Sequence, residues 1–231
     1  MTLNNKVALV TGGTGALGSV IVQRFLAEEA KVAATYFSDK EKFPAPHKAL
    51  KFIQANVSDE TDVMKLFDAV LTDFGRVDIL VNTVGGFVPG KPVANTTITD
   101  WDKMMNLNLR STFLCMREGL RRMNGQPYGR VISIAAMTAL KPSANKSAYT
   151  ISKAGVVLLT EIAADEQKGT GITVNAIAPS IIFTKENAES MPGEDTSRWV
   201  KPEEIADIIC SLCSEAGGKI NGTTIRAFGG V

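Results

Sequence analysis

The sequence predicts an α/β protein, a single doubly wound three-layer domain on a mostly parallel seven-stranded sheet. Short β-branched runs alternate with longer stretches of helical period along the whole chain. Two of the runs, Val7-Ala8-Leu9-Val10 and Ile79-Leu80-Val81, are continuously apolar, as strands covered on both faces are. The 231 residues show no linker, composition break or internal repeat. Division by about 150 residues per domain allows one domain or two, and the unbroken alternation favours one.

Each element follows from its own pattern. Lys6–Thr11 reads as the first strand. Ala16–Ala30 reads as a helix with Leu17, Ile21, Phe25 and Leu26 on one side. Val32–Tyr36 is the second strand and Phe52–Ala55 the third. A helix follows over Asp59–Phe74, with Ser58 as its expected N-cap and Asp59 and Glu60 in the first turn. Asp78–Asn82 is the fourth strand. A long helix starts at about Thr99 and carries Met104, Met105, Met116 and Met123. Val131–Ile134 is the fifth strand and Ser147–Gln167 a further helix. Thr173–Ile177, a helix over Pro202–Ser214, and a last strand at Thr223–Arg226 complete the chain. The longest irregular runs are Phe37–Lys48 and Phe183–Lys201.

Composition excludes several classes. Apolar residues are 45% and charged residues 21%, which rules out a disordered, collagen-like or disulfide-scaffold chain. The formal charge of +1 provides no field for nucleic acid or an anionic membrane. No run approaches the ~18 apolar residues of a membrane span. The first residues carry no signal-peptide pattern, so a cytoplasmic location is expected. Cys210 and Cys213 form a CxxC inside an amphipathic helix, and the only other candidates are Cys115 and His47. A metal site lacks ligands, and packing on a helix face is the expected role.

In an open α/β sheet the ligand crevice lies beyond the carboxyl ends of the strands. The first exit is Thr11-Gly12-Gly13-Thr14-Gly15-Ala16-Leu17-Gly18, between a strand and a helix. Glycine lets the backbone turn tightly and approach a pyrophosphate, and the helix N-terminus offers unpaired N–H groups. In this context the loop is read as a dinucleotide site rather than a plain turn. The second exit, Thr35-Tyr36-Phe37-Ser38, is where an acidic side chain meets the adenosine ribose in NAD-binding domains. Tyr36 and Phe37 are not acidic, and Asp39 reads as a turn residue. Repulsion of a 2′-phosphate is absent and no arginine clamp is evident, so the pattern leans to NADP over NAD. Because the chain is nearly neutral, a local group must recognise any 2′-phosphate.

Tyr149-Thr150-Ile151-Ser152-Lys153 opens a helix, and the YxxxK spacing puts the phenol and ammonium one turn apart on one face. A nearby ammonium is expected to lower the phenol's pKa toward the working range. Alone, the spacing is a common surface pair. Here it stands in order with Thr11–Gly18, Asn82-Thr83-Val84-Gly85-Gly86, Asn108, Asn175-Ala176-Ile177-Ala178-Pro179, and Gly222 with Gly229-Gly230.

Over its full length the chain resembles the short-chain dehydrogenase/reductases. The resemblance implies one Rossmann domain and hydride transfer at a nicotinamide. It implies that Tyr149 is the general acid/base, that Lys153 binds the nicotinamide ribose and tunes Tyr149, and that Asn108 holds a water linking Lys153 to solvent. Gly12, Thr14, Gly15, Ala16, Leu17 and Gly18 would cradle the pyrophosphate. Tyr36, Ser38, Asn56, Val57, Asn82 and Gly85 would line the adenosine side, and Pro179, Ile182 and Thr184 would close over the nicotinamide amide. The two long helices would pair with those of a second subunit through residues such as Val156, Val157, Leu158 and Leu159, giving a homodimer or homotetramer. The other partner is a small-molecule substrate.

Three departures stand out. The glycine expected at position 16 is Ala16. The family's serine, thirteen residues before Tyr149, is Ala136. That serine donates to the substrate carbonyl, and losing such a donor typically costs about 2.7–4 kcal/mol of transition-state stabilisation. Ser133 points the other way along its strand; Thr138 or a water is the candidate replacement. Finally, Ser180 replaces a glycine, and the run from Thr184 to Pro202 implies a short substrate lid at about 184–201.

Dihydropteridine reductases resemble this combination in the glycine loop, the Gly85-Gly86 pair, the alanine, the lid around Ser190–Trp199 and the following Pro202-Glu203-Glu204. Against it, the acid those enzymes carry for NADH after the second strand is absent, and Asn108 and Pro179 follow the carbonyl-reductase branch. A quinonoid dihydropterin is an electron-poor ring that needs hydride and a proton but no polarised ketone, so the serine is dispensable. In the lid, Met191 and Trp199 either stack on a planar ring or pack the loop onto the domain. Three readings result: a dihydropteridine-reductase-like enzyme, a carbonyl or 3-oxoacyl-thioester reductase, and a non-catalytic dinucleotide-binding protein.

Overall fold

The computed structural model describes residues 2–38 and 47–230. Asp39 and most of the irregular run after Phe37 lie outside the described residues. Seven strands form one sheet: β1 (Val7–Thr11), β2 (Lys31–Tyr36), β3 (Leu50–Gln54), β4 (Ile79–Asn82), β5 (Gly129–Ile134), β6 (Ile172–Pro179) and β7 (Thr224–Ala227). Their order is β3-β2-β1-β4-β5-β6-β7, with every neighbouring pair parallel. The chain runs outward from β1 to β3 and returns to β4, so the strand order reverses between β1 and β4. That reversal opens a crevice at the carboxyl ends of the two strands.

Helices cover both faces: α1 (Ala16–Ala27), α2 (Glu60–Phe74), α3 (Ile98–Met104), α4 (Ser111–Met123), α5 (Met137–Leu140), α6 (Ser147–Glu166), α7 (Lys185–Ser190) and α8 (Pro202–Cys213). Alternate residues of β1 feed two different cores. Ala8 and Val10 pack with Ile21, Val22 and Phe25 of α1 and with Ile205, Ile209, Cys210 and Cys213 of α8. Val7 and Leu9 pack with Val63, Leu66, Phe67 and Val70 of α2 and with Leu114, Cys115, Met116 and Met123 of α4. All three cysteines are buried and unbridged, as apolar packing requires. Among the described residues no helix is long and apolar enough to cross a membrane, and no cluster of ligating side chains suits a metal.

Several boundaries differ from expectation for local reasons. Asp59, not Ser58, caps α2, its Oδ1 accepting the Asp62 amide at 3.0 Å. Ser58 instead donates to the Asn106 carbonyl. The long helix expected from Thr99 starts at Ile98, capped by Thr97, and is broken into α3 and α4 by a π-helical turn at Met105–Arg110. Two further helices, α5 and α7, lie in segments that carry no long apolar period.

Candidate active site

The glycine loop is braced by threonines whose role no spacing revealed. Gly12 has φ +64°, a conformation that suits glycine. Its amide donates to Thr35 Oγ1 at 2.8 Å, and the Gly13 amide donates to the Thr35 carbonyl. Thr11 Oγ1 accepts the Thr83 amide at 3.1 Å, and Thr83 Oγ1 donates back to the Thr11 carbonyl. These bonds tie the exits of β1, β2 and β4 together. Gly18 lies so close under the loop that a Cβ would sit 2.1 Å from the Gly12 carbonyl oxygen. The N-cap of α1 is Gly15, so no side chain takes the first-turn amides. Ala16 begins the helix and is exposed.

Above this loop lies a cleft of about 610 Å³. It is lined by Gly12, Thr14, Gly15, Ala16, Leu17 and Gly18, and by Tyr36, Asn56, Val57 and Gly85. Phe37 and Leu107, which the motifs did not single out, line it too. The open helix N-terminus, the close approach at Gly18 and the volume of the cleft fit a dinucleotide. Asn82 is buried at the β4 exit and donates to Ser133 Oγ at 3.2 Å. Ser133 therefore faces β4 and not the substrate side. Ser38 is half-buried and does not line this cleft.

Tyr149 and Lys153 share the first turns of α6, beside the β5 exit. Lys153 is buried, and its Nζ donates to the Ile134 carbonyl at 2.7 Å. Burial pulls its pKa down to about 8. Burial also pushes the Tyr149 phenol up to about 12. This direction, set by burial, is opposite to the lowering expected from the ammonium. Desolvation of the ring is the cause, and the Lys153 ammonium is aimed at the Ile134 carbonyl.

Asn108 sits fully buried in the π-helical turn. Its Oδ1 accepts the Gly86 amide at 2.9 Å, and its Nδ2 donates to Ser152 Oγ at 3.0 Å and to the Gly86 carbonyl at 3.1 Å. Ser152 in turn donates to the Tyr149 carbonyl at 2.8 Å. The carboxamide therefore clamps the β4 exit to the Tyr149–Lys153 turn. A π turn leaves carbonyls without their usual i+4 partners, and Ser111 Oγ and Thr112 Oγ1 cap those of Leu107 and Asn108.

Ala136 is buried at the N-cap of α5, where the hydroxyl is missing. The Thr138 oxygen is buried from solvent and has no hydrogen-bond partner among the described residues. As placed, it is closed off from a substrate. In the lid, Trp199 is only 5% exposed and lies 6.4 Å from the Phe183 ring. It packs the lid, and the stacking alternative fails for Trp199. Met191 is half-buried at the end of α7.

At the β6 exit, Pro179 is buried and Ile182 pairs with Val200. Thr184 caps α7, accepting the Asn187 amide at 3.1 Å. Ser180, in place of glycine, donates to the Phe228 carbonyl at 2.8 Å and ties the lid's root to the end of β7.

Comparison with known proteins gives consistent findings. A family model described as short chain dehydrogenase matches residues 6–195. A short-chain type dehydrogenase/reductase of Picea abies is 31% identical, the alignment covering 99% of this chain and 93% of that protein. A 3-oxoacyl-acyl-carrier-protein reductase FabG of Aquifex aeolicus is 30% identical, covering 99% of this chain and 98% of the relative. Among solved structures, ElxO with NADP bound superposes with a TM-score of 0.91 at 28% identity, covering 97% of this chain and 98% of that one.

Proposed function

The chain belongs to the short-chain dehydrogenase/reductase family and is an NAD(P)-dependent oxidoreductase, and from that premise we propose that it reduces an electron-poor conjugated acceptor, of the kind dihydropteridine reductases take, with Tyr149 as proton donor. The observation that carries this reading is at Ala136. A buried methyl stands where a carbonyl-polarising hydroxyl belongs, and the nearby Thr138 oxygen is closed off. A ketone oxygen that gains charge there meets one donor fewer. A conjugated ring spreads that charge over its own atoms and has less need of the second donor.

The residues divide the work. The glycine loop and the first-turn amides of α1 hold the pyrophosphate, and Tyr36, Asn56, Val57, Asn82 and Gly85 frame the adenosine side. Pro179, Ile182 and Thr184 border the nicotinamide end. Bound there, the nicotinamide dinucleotide supplies the hydride. Tyr149, protonated across the neutral range, supplies the proton from its hydroxyl. Lys153 places a positive charge beside the phenolate left behind. Asn108 holds Tyr149 and Lys153 in register through Ser152. NADP is the cofactor we assign, since neither Tyr36 nor Ser38 brings a negative charge to a 2′-phosphate, and a close structural neighbour has NADP bound.

Ala136→Ser tests the reading. Restoring the donor is expected to raise kcat/KM for a 3-oxoacyl thioester by about 10- to 100-fold, somewhat less than the 10²–10³ that a native donor of this kind is worth. The gain on quinonoid dihydropterin is expected to be far smaller, so the ratio of the two activities shifts toward the ketone. Equal gains on both would contradict the proposal. A second reading, a carbonyl or 3-oxoacyl-thioester reductase, has one observation on its side: no bond holds the Thr138 hydroxyl in its present rotamer. If Thr138 turns into the site, Thr138→Val abolishes ketone reduction in the wild-type background.

We further propose a second copy of this chain as partner. Phe113 of α4 and Leu158 and Ile162 of α6 are exposed large apolar side chains, and a groove of about 590 Å³ runs between the two helices. Leu158→Asp with Ile162→Asp is expected to convert a dimer or tetramer to a monomer in sedimentation. An unchanged mass for the double variant would rule this surface out.

A further inference from the structure

The half-exposed ring of Phe87 stands against Tyr149, with centroids 5.2 Å apart and planes at 86°. Its place is set by backbone rather than by chance packing of a loose side chain. Gly90 passes so close to the loop before α6 that a Cβ there would sit 1.9 Å from the Asn145 carbonyl oxygen. Lys91 and Lys146 form an isolated β-bridge. Lys91 also pairs with Asp100 at 2.7 Å, and Thr96 Oγ1 lies 3.2 Å from Ser147 Oγ. The segment carrying Phe87 is therefore laced to the residues that lead into Tyr149.

A large apolar ring left 52% exposed beside a polar reacting group offers surface whose removal from water by a ligand is favourable. The lid does not supply an alternative wall through Trp199, which is consumed in packing against Phe183. Lys91 is already paired with Asp100, so the rim next to Phe87 offers no free charge from that side chain.

We infer that Phe87 is a specificity-determining residue: its ring forms the wall against which a flat, conjugated acceptor lies while its reacting atom faces the Tyr149 hydroxyl. The inference rests on the reading of Tyr149 as proton donor. An aromatic wall selects by shape. A planar ring meets it over its full area, whereas a flexible acyl chain meets it along an edge and loses rotamer freedom as well. Phe87 acts on which acceptor binds and not on the proton transfer itself.

The test uses equilibrium binding of oxidised pterin, which is flat and not reducible by the same step, to the protein saturated with NADP⁺. Phe87→Ala is expected to weaken the Kd by about 3- to 10-fold, the range of one aromatic pair. Phe87→Trp is expected to restore it. In turnover, the ratio of kcat/KM for quinonoid dihydropterin to that for an acyclic diketone falls by a similar factor in Phe87→Ala. An unchanged Kd and an unchanged ratio in Phe87→Ala, or equal weakening in Phe87→Ala and Phe87→Trp, overturns the inference. Failure of the reading beneath it looks different: Tyr149→Phe would then keep its turnover, whatever Phe87 does.

Discussion

Tyr149→Phe is expected to lower kcat for reduction by about 10²–10⁴-fold, the usual worth of a positioned acid. The phenyl ring keeps the shape and the contact with Phe87, so NADPH binding read by fluorescence is expected to persist. The loss then belongs to the hydroxyl alone. The pH profile of the wild type adds a second reading of the same group. With the phenol pushed up to about 12, the proton is in place throughout the neutral range, and reduction needs no prior titration of Tyr149. Lys153, pulled down to about 8, loses its charge as pH rises through that value. Below pH 8 the ammonium is present to stabilise the nascent phenolate; above it the support goes. Reductive kcat/KM, which reports the free enzyme, is expected to be level from pH 6 to about 7.5 and to decline through about 8. The reverse oxidation needs the phenolate and is expected to gain with pH instead. A reductive profile that climbs through pH 8 would contradict this assignment.

Gly18→Ala is expected to be the most damaging single-methyl change in the cofactor cleft. The added Cβ would lie 2.1 Å from the Gly12 oxygen, 2.8 Å from its carbonyl carbon and 3.0 Å from Gly13 Cα, all backbone atoms of the loop. No side chain is available to swing aside, so the loop itself must move. Overpacking of this kind costs about 1–3 kcal/mol and more where backbone resists. For a domain of this size that is about 2–12 °C in Tm. Displacing the loop also carries the amides away from the pyrophosphate, so NADPH affinity is expected to fall at least tenfold. Ala16→Gly is the contrasting variant. Its methyl is exposed, and its removal is expected to change Tm by no more than a degree or two. Similar losses in both variants would mean that the departure at position 16 matters more than the geometry shows.

The fold was largely legible because periodicity and burial tell the same story. Val7-Ala8-Leu9-Val10 is apolar at every position because β1 is covered on both faces, and the structure divides its residues between two cores. The glycine loop and the Tyr149–Lys153 turn were legible because their chemistry restricts residue type. What escaped were residues whose type is ordinary for their element. Thr11 and Thr35 look like strand formers, and only the three-dimensional crossing of strand exits makes them braces. Ser152 is one more polar residue on a helix until Asn108 is found 3.0 Å away. The π-helical turn leaves no mark on a 3.6-residue period. Trp199 read equally well as a stacking or a packing side chain, and only its burial decides between them. The direction of the Tyr149 shift is hidden in the sequence, because spacing reveals a charge partner but not how dry the ring is.

The central claim, that the site is built for a conjugated acceptor and proceeds without the serine, is tested most directly in the wild type. The measurement is kcat/KM with NADPH for quinonoid dihydropterin and for a 3-oxoacyl thioester, side by side at pH 7. The account predicts that the dihydropterin is favoured by at least tenfold and that its turnover falls by about 10²–10⁴-fold in Tyr149→Phe. Preference for the thioester, with a Tyr149-dependent rate, would contradict it and leave Thr138 as the replacement donor.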